Sequence, residues 1–224
     1  MARGGGGSGS RPLAVRVKTA KKRRLSSTQW LERQLNDPYV AEAKRRGYRS
    51  RAAFKLIQLD ERFRLFAGAS RIVDLGCAPG GWTQYAVGRG RTVIGVDLSP
   101  TEPTAGATVI QGDFRESEIA AAVTAALGGA ADLVLSDMAA PATGHAPTDH
   151  LRVVALAEEA FAFAETVLRP GGAFVAKVFQ GGAEGSLLAA LKRGFAEVRH
   201  AKPAASRAES AETYVVAKGY RGRA

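Results

Sequence analysis

From Arg71 onward the chain alternates short apolar runs with segments of helical periodicity, and that alternation leaves few folds open. Strands are expected near 71–75, 92–97, 107–111, 132–136, 172–179, 195–200 and 213–218, with helices near 81–88, 116–127, 149–168 and 184–193. Strands that are apolar along most of their length are buried on both faces, and intervening helices supply both covers. The expected fold is therefore α/β, a doubly wound Rossmann-like sheet of seven strands. Pro170-Gly171-Gly172 is a stop signal for the long helix before it. Residues 202–211 leave no room for a crossover helix, so the last strand should run antiparallel.

The first strand feeds directly into Asp74-Leu75-Gly76-Cys77-Ala78-Pro79-Gly80-Gly81-Trp82. Gly76, Gly80 and Gly81 form a turn in which a ligand can approach the backbone, with a helix N-terminus opening behind it. In an open α/β sheet this is where nucleotide-like cofactors lie. The glycines do not match G-x-G-x-x-G, which argues against a dinucleotide oxidoreductase, and Trp82 stands where a phosphate-binding loop needs lysine. An adenosine cofactor without a phosphate chain, S-adenosyl-L-methionine, fits better. Asp97, ending the second strand, is placed to hold ribose hydroxyls, and Asp113, in Gln111-Gly112-Asp113-Phe114, to accept from the adenine amino group.

Charge divides the chain. Residues 1–64 hold 17 Lys or Arg against 5 Asp or Glu, and residues 65–224 hold 15 against 16, so the whole excess of +11 lies in the N-terminal part. Residues 1–25 form a basic Gly-rich tail that cannot pack a core and is expected to be disordered. Residues 26–224 are expected to form a single domain that includes a basic helical extension, 26–64. Within it, Ser27 caps a helix through Trp30, Leu31 and Leu35. Pro38 opens a second that stops near Gly47, and Ser50 caps a third over 51–60. Lys44, Arg45, Arg46, Arg49 and Arg51 are expected to bind RNA phosphates, which supplies affinity without sequence choice.

Other features narrow the class. The single cysteine, Cys77, rules out an internal disulfide framework, reads as a small packing residue, and fits a reducing, cytoplasmic setting. His145, His150 and His200 have no metal-ligand spacing, so no metal is expected. No apolar stretch is long enough to span a membrane, and the N-terminus lacks a signal-peptide core.

Four charged residues occupy positions where burial is costly: Lys55 in the third helix, Asp137 after the fourth strand, Lys177 within Phe174-Val175-Ala176-Lys177-Val178-Phe179, and Glu212 before the last strand. The plain reading is a structural ion-pair network. The sharper one is an acid/base constellation. Methyl transfer to a hydroxyl needs a base to take the proton, and a lysine serves only when neutral. An ordinary lysine has a pKa of about 10.4, and burial and a second cation favour the neutral form while a carboxylate opposes it.

These pieces resemble the FtsJ/RrmJ family of ribose 2′-O-methyltransferases over roughly residues 27–219. The matching segments include Gly47-Tyr48-Arg49-Ser50-Arg51-Ala52-Ala53-Phe54-Lys55-Leu56, the turn 74–82, Ser136-Asp137-Met138-Ala139, Lys177-Val178-Phe179-Gln180-Gly181 and Glu212-Thr213-Tyr214. The resemblance implies a Lys-Asp-Lys-Glu tetrad on Lys55, Asp137, Lys177 and Glu212, with Lys177 as proton acceptor. It implies cofactor contacts from Gly80, Trp82, Asp97, Asp113 and Asp137. For the family's bacterial large-subunit branch it implies, as partner, a uridine in the A-loop of 23S rRNA in the large ribosomal subunit, with the protein expected as a monomer. Two alternatives stand beside this: the same chemistry on tRNA or another rRNA site, and a non-catalytic ribosome assembly factor. The chain departs from the family's Asp-Met-Ala-Pro-Asn, having Asp137-Met138-Ala139-Ala140-Pro141 beside the expected substrate pocket, and has Cys77 for an alanine.

Overall fold

The computed structural model describes residues 28, 31, 32, 34–180 and 185–222. The basic tail, the Ser27 cap and Trp30 lie outside them, as does Gly181. After Asp37 the elements run α1 (Pro38–Arg46), α2 (Ala53–Phe63), β1 (Arg71–Leu75), α3 (Gly81–Gly88), β2 (Thr92–Asp97), β3 (Ala107–Gln111), α4 (Ser117–Leu127), β4 (Ala131–Ser136), α5 (Ala146–Val167), β5 (Leu168–Phe179), α6 (Gly185–Gly194), β6 (Phe195–Ala201) and β7 (Glu212–Tyr220).

The strands form one sheet in the order β3-β2-β1-β4-β5-β7-β6. β1 pairs in parallel with β2 and β4, β2 with β3, and β4 with β5. β7 is antiparallel to both β5 and β6, so it inserts between them. The α/β class and the antiparallel last strand agree with the sequence reading; the insertion is additional. The strand after the α6 crossover leaves one strand's width beside β5, and the return through 202–211 fills it.

Each strand feeds two cores with a period of two. Val73 and Leu75 of β1, Ile94 of β2 and Val134 of β4 pack on the face that meets α4, α5 and α6, with Val123, Phe161, Leu187 and Leu191. Ile72, Val93, Leu133 and Leu135 point the other way, toward Leu56 and Leu59 of α2 and Trp82 and Ala86 of α3. A smaller cluster of Ala43, Phe54 and Ala205 seats α1 against α2 and the 202–211 loop.

Local signals act as expected at α1: the Asp37 carboxylate accepts from Tyr39 N–H, Pro38 opens the helix, and Gly47 closes it at φ 78°. Ser50 behaves differently. Its hydroxyl does not cap α2, which begins at Ala53; instead its carbonyl accepts from Ala53 N–H in a preceding turn, while the hydroxyl packs beneath Gly81. Pro170 and Gly171 do end the long helix, but they bulge from the start of β5, where pairing jumps from Ala131–Leu168 to Leu133–Ala173. Sheet order reverses at β1, between β2 and β4, and the crevice at their carboxyl ends is where the site lies.

Candidate active site

A cavity of about 350 Å³ opens there, lined by Gly76, Ala78, Asp97, Asp113, Phe114 and Asp137 among others. Asp97 is fixed by two backbone donors, Ala78 N–H at 2.9 Å and Ser99 N–H at 2.7 Å. Each oxygen of a carboxylate accepts more than one bond, so both retain capacity for ligand hydroxyls. Asp113 accepts from Arg115 through both backbone and guanidinium, at 3.0 and 2.5 Å, and this pairing holds its carboxyl below the usual carboxylate range. Gly76 (φ 74°) lets the β1 turn cross the segment after β4, since a Cβ there would stand 2.5 Å from Met138 Cγ. Carboxylates aimed into a nucleoside-sized cavity suit a cofactor with ribose hydroxyls and an amino group.

The other three residues of the expected cofactor set do not line this cavity. A Cβ at Gly80 would stand 2.7 Å from Arg49 Nη1, and one at Gly81 2.5 Å from Ser50 Oγ, so these glycines admit the incoming segment before α2. Trp82 is buried, donates its Nε1–H to Ala52 O at 2.8 Å, and packs beside the Tyr214 ring.

Asp137 belongs to the cavity wall and to a cluster behind it. Lys177 Nζ, on β5, donates to the Asp137 carbonyl at 2.8 Å and lies 3.2 Å from Asp137 Oδ1. Lys55 Nζ, from α2, lies 3.6 Å from Asp137 Oδ2 and 2.9 Å from Glu212. Side-chain exposure is 7% for Lys177, 12% for Lys55 and 15% for each carboxylate, so the four expected side chains meet in a largely dehydrated space. Burial pushes the Asp137 carboxyl up. The ammonium groups of Lys177 and Lys55, helped by the Tyr214 hydroxyl, outweigh it and hold that carboxyl below its ordinary value.

The family model for FtsJ-like methyltransferases matches residues 48–220. The chain belongs to this family. It is 62% identical over 222 residues to Ribosomal RNA large subunit methyltransferase E of Paramagnetospirillum magneticum, covering 96% of this chain and 91% of that one. It is 61% identical to the protein of the same name in Granulibacter bethesdensis, covering 95% and 93%. Among solved structures, one from Plasmodium falciparum described as a ribosomal RNA methyltransferase has a TM-score of 0.70 at 32% identity, covering 79% of this chain and all of that one. This FtsJ-like chain is a methyltransferase with a Rossmann-like sheet.

Two residues of the cluster carry no role in the sequence reading. Tyr214 donates its hydroxyl to Asp137 Oδ1 at 2.7 Å and lies 3.4 Å from Glu212 Oε1; Ser206 donates to Glu212 Oε1 at 2.7 Å. Burial, then the two carboxylates, raise the Tyr214 phenol far above its usual value, so it remains a donor. Glu212 and Tyr214 lie two apart on β7, so strand periodicity alone puts them on one face. Behind the turn, buried Asp74 accepts from Thr83 Oγ1 at 2.7 Å. Burial pushes its carboxyl up to about 7, with the Asp137 and Asp97 charges adding to the rise. Cys77 is buried against Gly95, and burial pushes its thiol up to about 12, which fits packing rather than nucleophilic attack.

The basic segment splits in two. Lys44, Arg45 and Arg46 are exposed on α1, the arginines 2.5 and 2.6 Å from Glu42. Arg49 and Arg51 turn inward. Arg51 pairs with Asp37 at 3.0 Å and donates to Ala205 O; Arg49 donates to carbonyls of Pro79, Glu102 and Pro103. No helix among the described residues is long and apolar enough to cross a membrane.

Proposed function

We propose that this chain transfers a methyl group from S-adenosyl-L-methionine to the ribose 2′-hydroxyl of a uridine in the A-loop of 23S rRNA, within the large ribosomal subunit in the cytoplasm. The observation that carries the reading is the convergence of Lys55, Lys177 and Glu212 around Asp137, which itself lines a cavity that also presents Asp97 and Asp113. The names of the relatives support large-subunit ribosomal RNA as the substrate class, and the A-loop uridine is what the family resemblance implies.

The cofactor, when bound, supplies an electrophilic methyl group. Asp97 would accept from its ribose hydroxyls and Asp113 from its adenine amino group, with Asp137 at the reacting end. Lys177 takes the 2′-hydroxyl proton at Nζ, acting as general base in its neutral form. Lys55, held by Glu212 at 2.9 Å, provides a second cation that stabilises negative charge growing on the 2′-oxygen. Asp137 anchors both amines, so their separation is set by one rigid carboxylate. Exposed Lys44, Arg45 and Arg46 would hold the folded RNA by its phosphates.

The test is transfer of labelled methyl groups to large subunits lacking their own modifications, followed by nuclease mapping. Label on a 2′-oxygen in the A-loop is the expected result. Label on tRNA alone would overturn the substrate and keep the chemistry. No label on any RNA, with cofactor bound, would favour an assembly role.

A further inference from the structure

Arg49 stands beside the run Lys44-Arg45-Arg46 and shares its charge, yet its guanidinium faces the protein. Nη1 donates to Glu102 O at 2.7 Å and to Pro79 O at 3.3 Å, and Nη2 donates to Pro103 O at 2.7 Å. Its own N–H donates to Gln84 Oε1 at 2.8 Å, and Gln84 Nε2 returns a bond to Gly47 O at 3.1 Å. One side chain therefore ties three pieces together: the chain leaving α1, the glycine turn after β1, and the loop between β2 and β3.

The last two carry the cofactor wall. Ala78 precedes Pro79, and Leu98 and Ser99 open the loop that reaches Glu102 and Pro103; all three line the cavity. Residues 98–106 have no strand or helix of their own, so no ladder takes the carbonyls at 102 and 103, and the Arg49 guanidinium is the protein donor that reaches both. Gly80 makes the arrangement possible, because at φ 109° it accepts no Cβ, and the space a Cβ would fill is taken by Arg49 Nη1 at 2.7 Å and Cδ at 3.4 Å. A planar fork spanning two carbonyl-bearing segments suits arginine and not lysine.

We infer that Arg49 is a positioning residue that clamps the glycine turn to the 98–106 loop and so holds the cofactor cleft in its binding shape. It preorganises two wall segments that would otherwise be ordered at the expense of binding energy. This rests on the reading that the cleft takes S-adenosyl-L-methionine.

The experiment uses the full chain and two variants, Arg49→Ala and Arg49→Lys. In ligand-free protein, amide exchange in 98–106 should quicken in Arg49→Ala, and this readout stands whether or not the cleft binds that cofactor. Calorimetry with S-adenosyl-L-methionine in the absence of RNA should show Arg49→Ala binding about tenfold more weakly. KM for the cofactor should rise while kcat holds, and Arg49→Lys should recover part of the loss. If Arg49→Ala does not fold, the same shifts, smaller, are expected in Arg49→Lys. The inference is overturned if exchange and cofactor affinity match the parent protein while RNA affinity drops with a salt slope lower by about one phosphate's worth. A parent protein that binds no S-adenosyl-L-methionine would defeat the cofactor reading, and the exchange data alone would then decide the clamp.

Discussion

Asp137 accepts from Tyr214, faces two ammonium groups, and ends the strand beside the cavity, so its neighbours control it one at a time. Lys177→Ala removes the proposed proton acceptor and leaves Asp97 and Asp113 in place. Single-turnover methylation should fall by about 10²–10⁴-fold, with cofactor affinity in calorimetry nearly kept; parallel loss of both would count against the base role. Tyr214→Phe deletes one donor to a buried carboxylate, a loss of about 1–3 kcal/mol. That donor helps hold the Asp137 carboxyl low, so the carboxyl should titrate at higher pH in the variant, as carboxylate NMR would record. Asp74 offers the opposite sign. Its carboxyl is pushed up to about 7 in the fold, against about 3.9 in an unfolded chain. The folded state holds the proton more tightly, so the associated stability is complete below about 4 and is lost as pH rises through 7. Asp74→Asn keeps an acceptor for Thr83 and has no proton to lose. In ligand-free melts its Tm relative to the parent should rise between pH 5 and pH 8, and parallel curves would refute the assignment.

At the scale of elements, α1 is docked by few contacts, and Arg51 is chief among them. It bridges the Asp37 cap to the Ala205 carbonyl, one residue before Ser206, which donates to Glu212. Arg51→Ala should cost about 2–3 kcal/mol by leaving Asp37 under-paired, seen as a lower Tm and faster proteolysis near residues 38–46. Such pairings mark the limit of what was legible. Strands β1, β2 and β3 match their predicted bounds because apolar runs between turn residues carry that information locally. The meeting of Lys55, Asp137, Lys177 and Glu212 was legible because charged residues in apolar contexts need partners. Ser50 was misread because a cap signal is local and the competing packing under Gly81 comes from another element. Arg49 and Arg51 look like Lys44 in sequence, and only the carbonyls brought opposite them by folding turn them inward. Gly80, Gly81 and Trp82 of the expected cofactor turn also pack against the segment before α2, a tie that no local signal announces.

Across the whole molecule the charge is uneven, with a surplus of 12 positive charges in residues 1–64 and near balance beyond. Binding to the proposed RNA should therefore depend steeply on salt, and replacing Lys44, Arg45 and Arg46 together by alanine should flatten that slope by about 0.7–0.9 for each phosphate no longer neutralised. The arginines must first exchange Glu42, whose carboxyl they hold down to about 2, for phosphate. Affinity should fall alike for all RNA sequences, as competition binding would reveal. The position of β7 bears on how such a molecule is made. A chain emerging from the ribosome delivers β5 and β6 before the strand that belongs between them, so both wait with open edges. Glu212 arrives on that same strand, and until it does Lys55 and Lys177 share Asp137 alone. Closure of the sheet and completion of the site's charge balance are thus one event in the life of the nascent chain, and a half-made enzyme has neither.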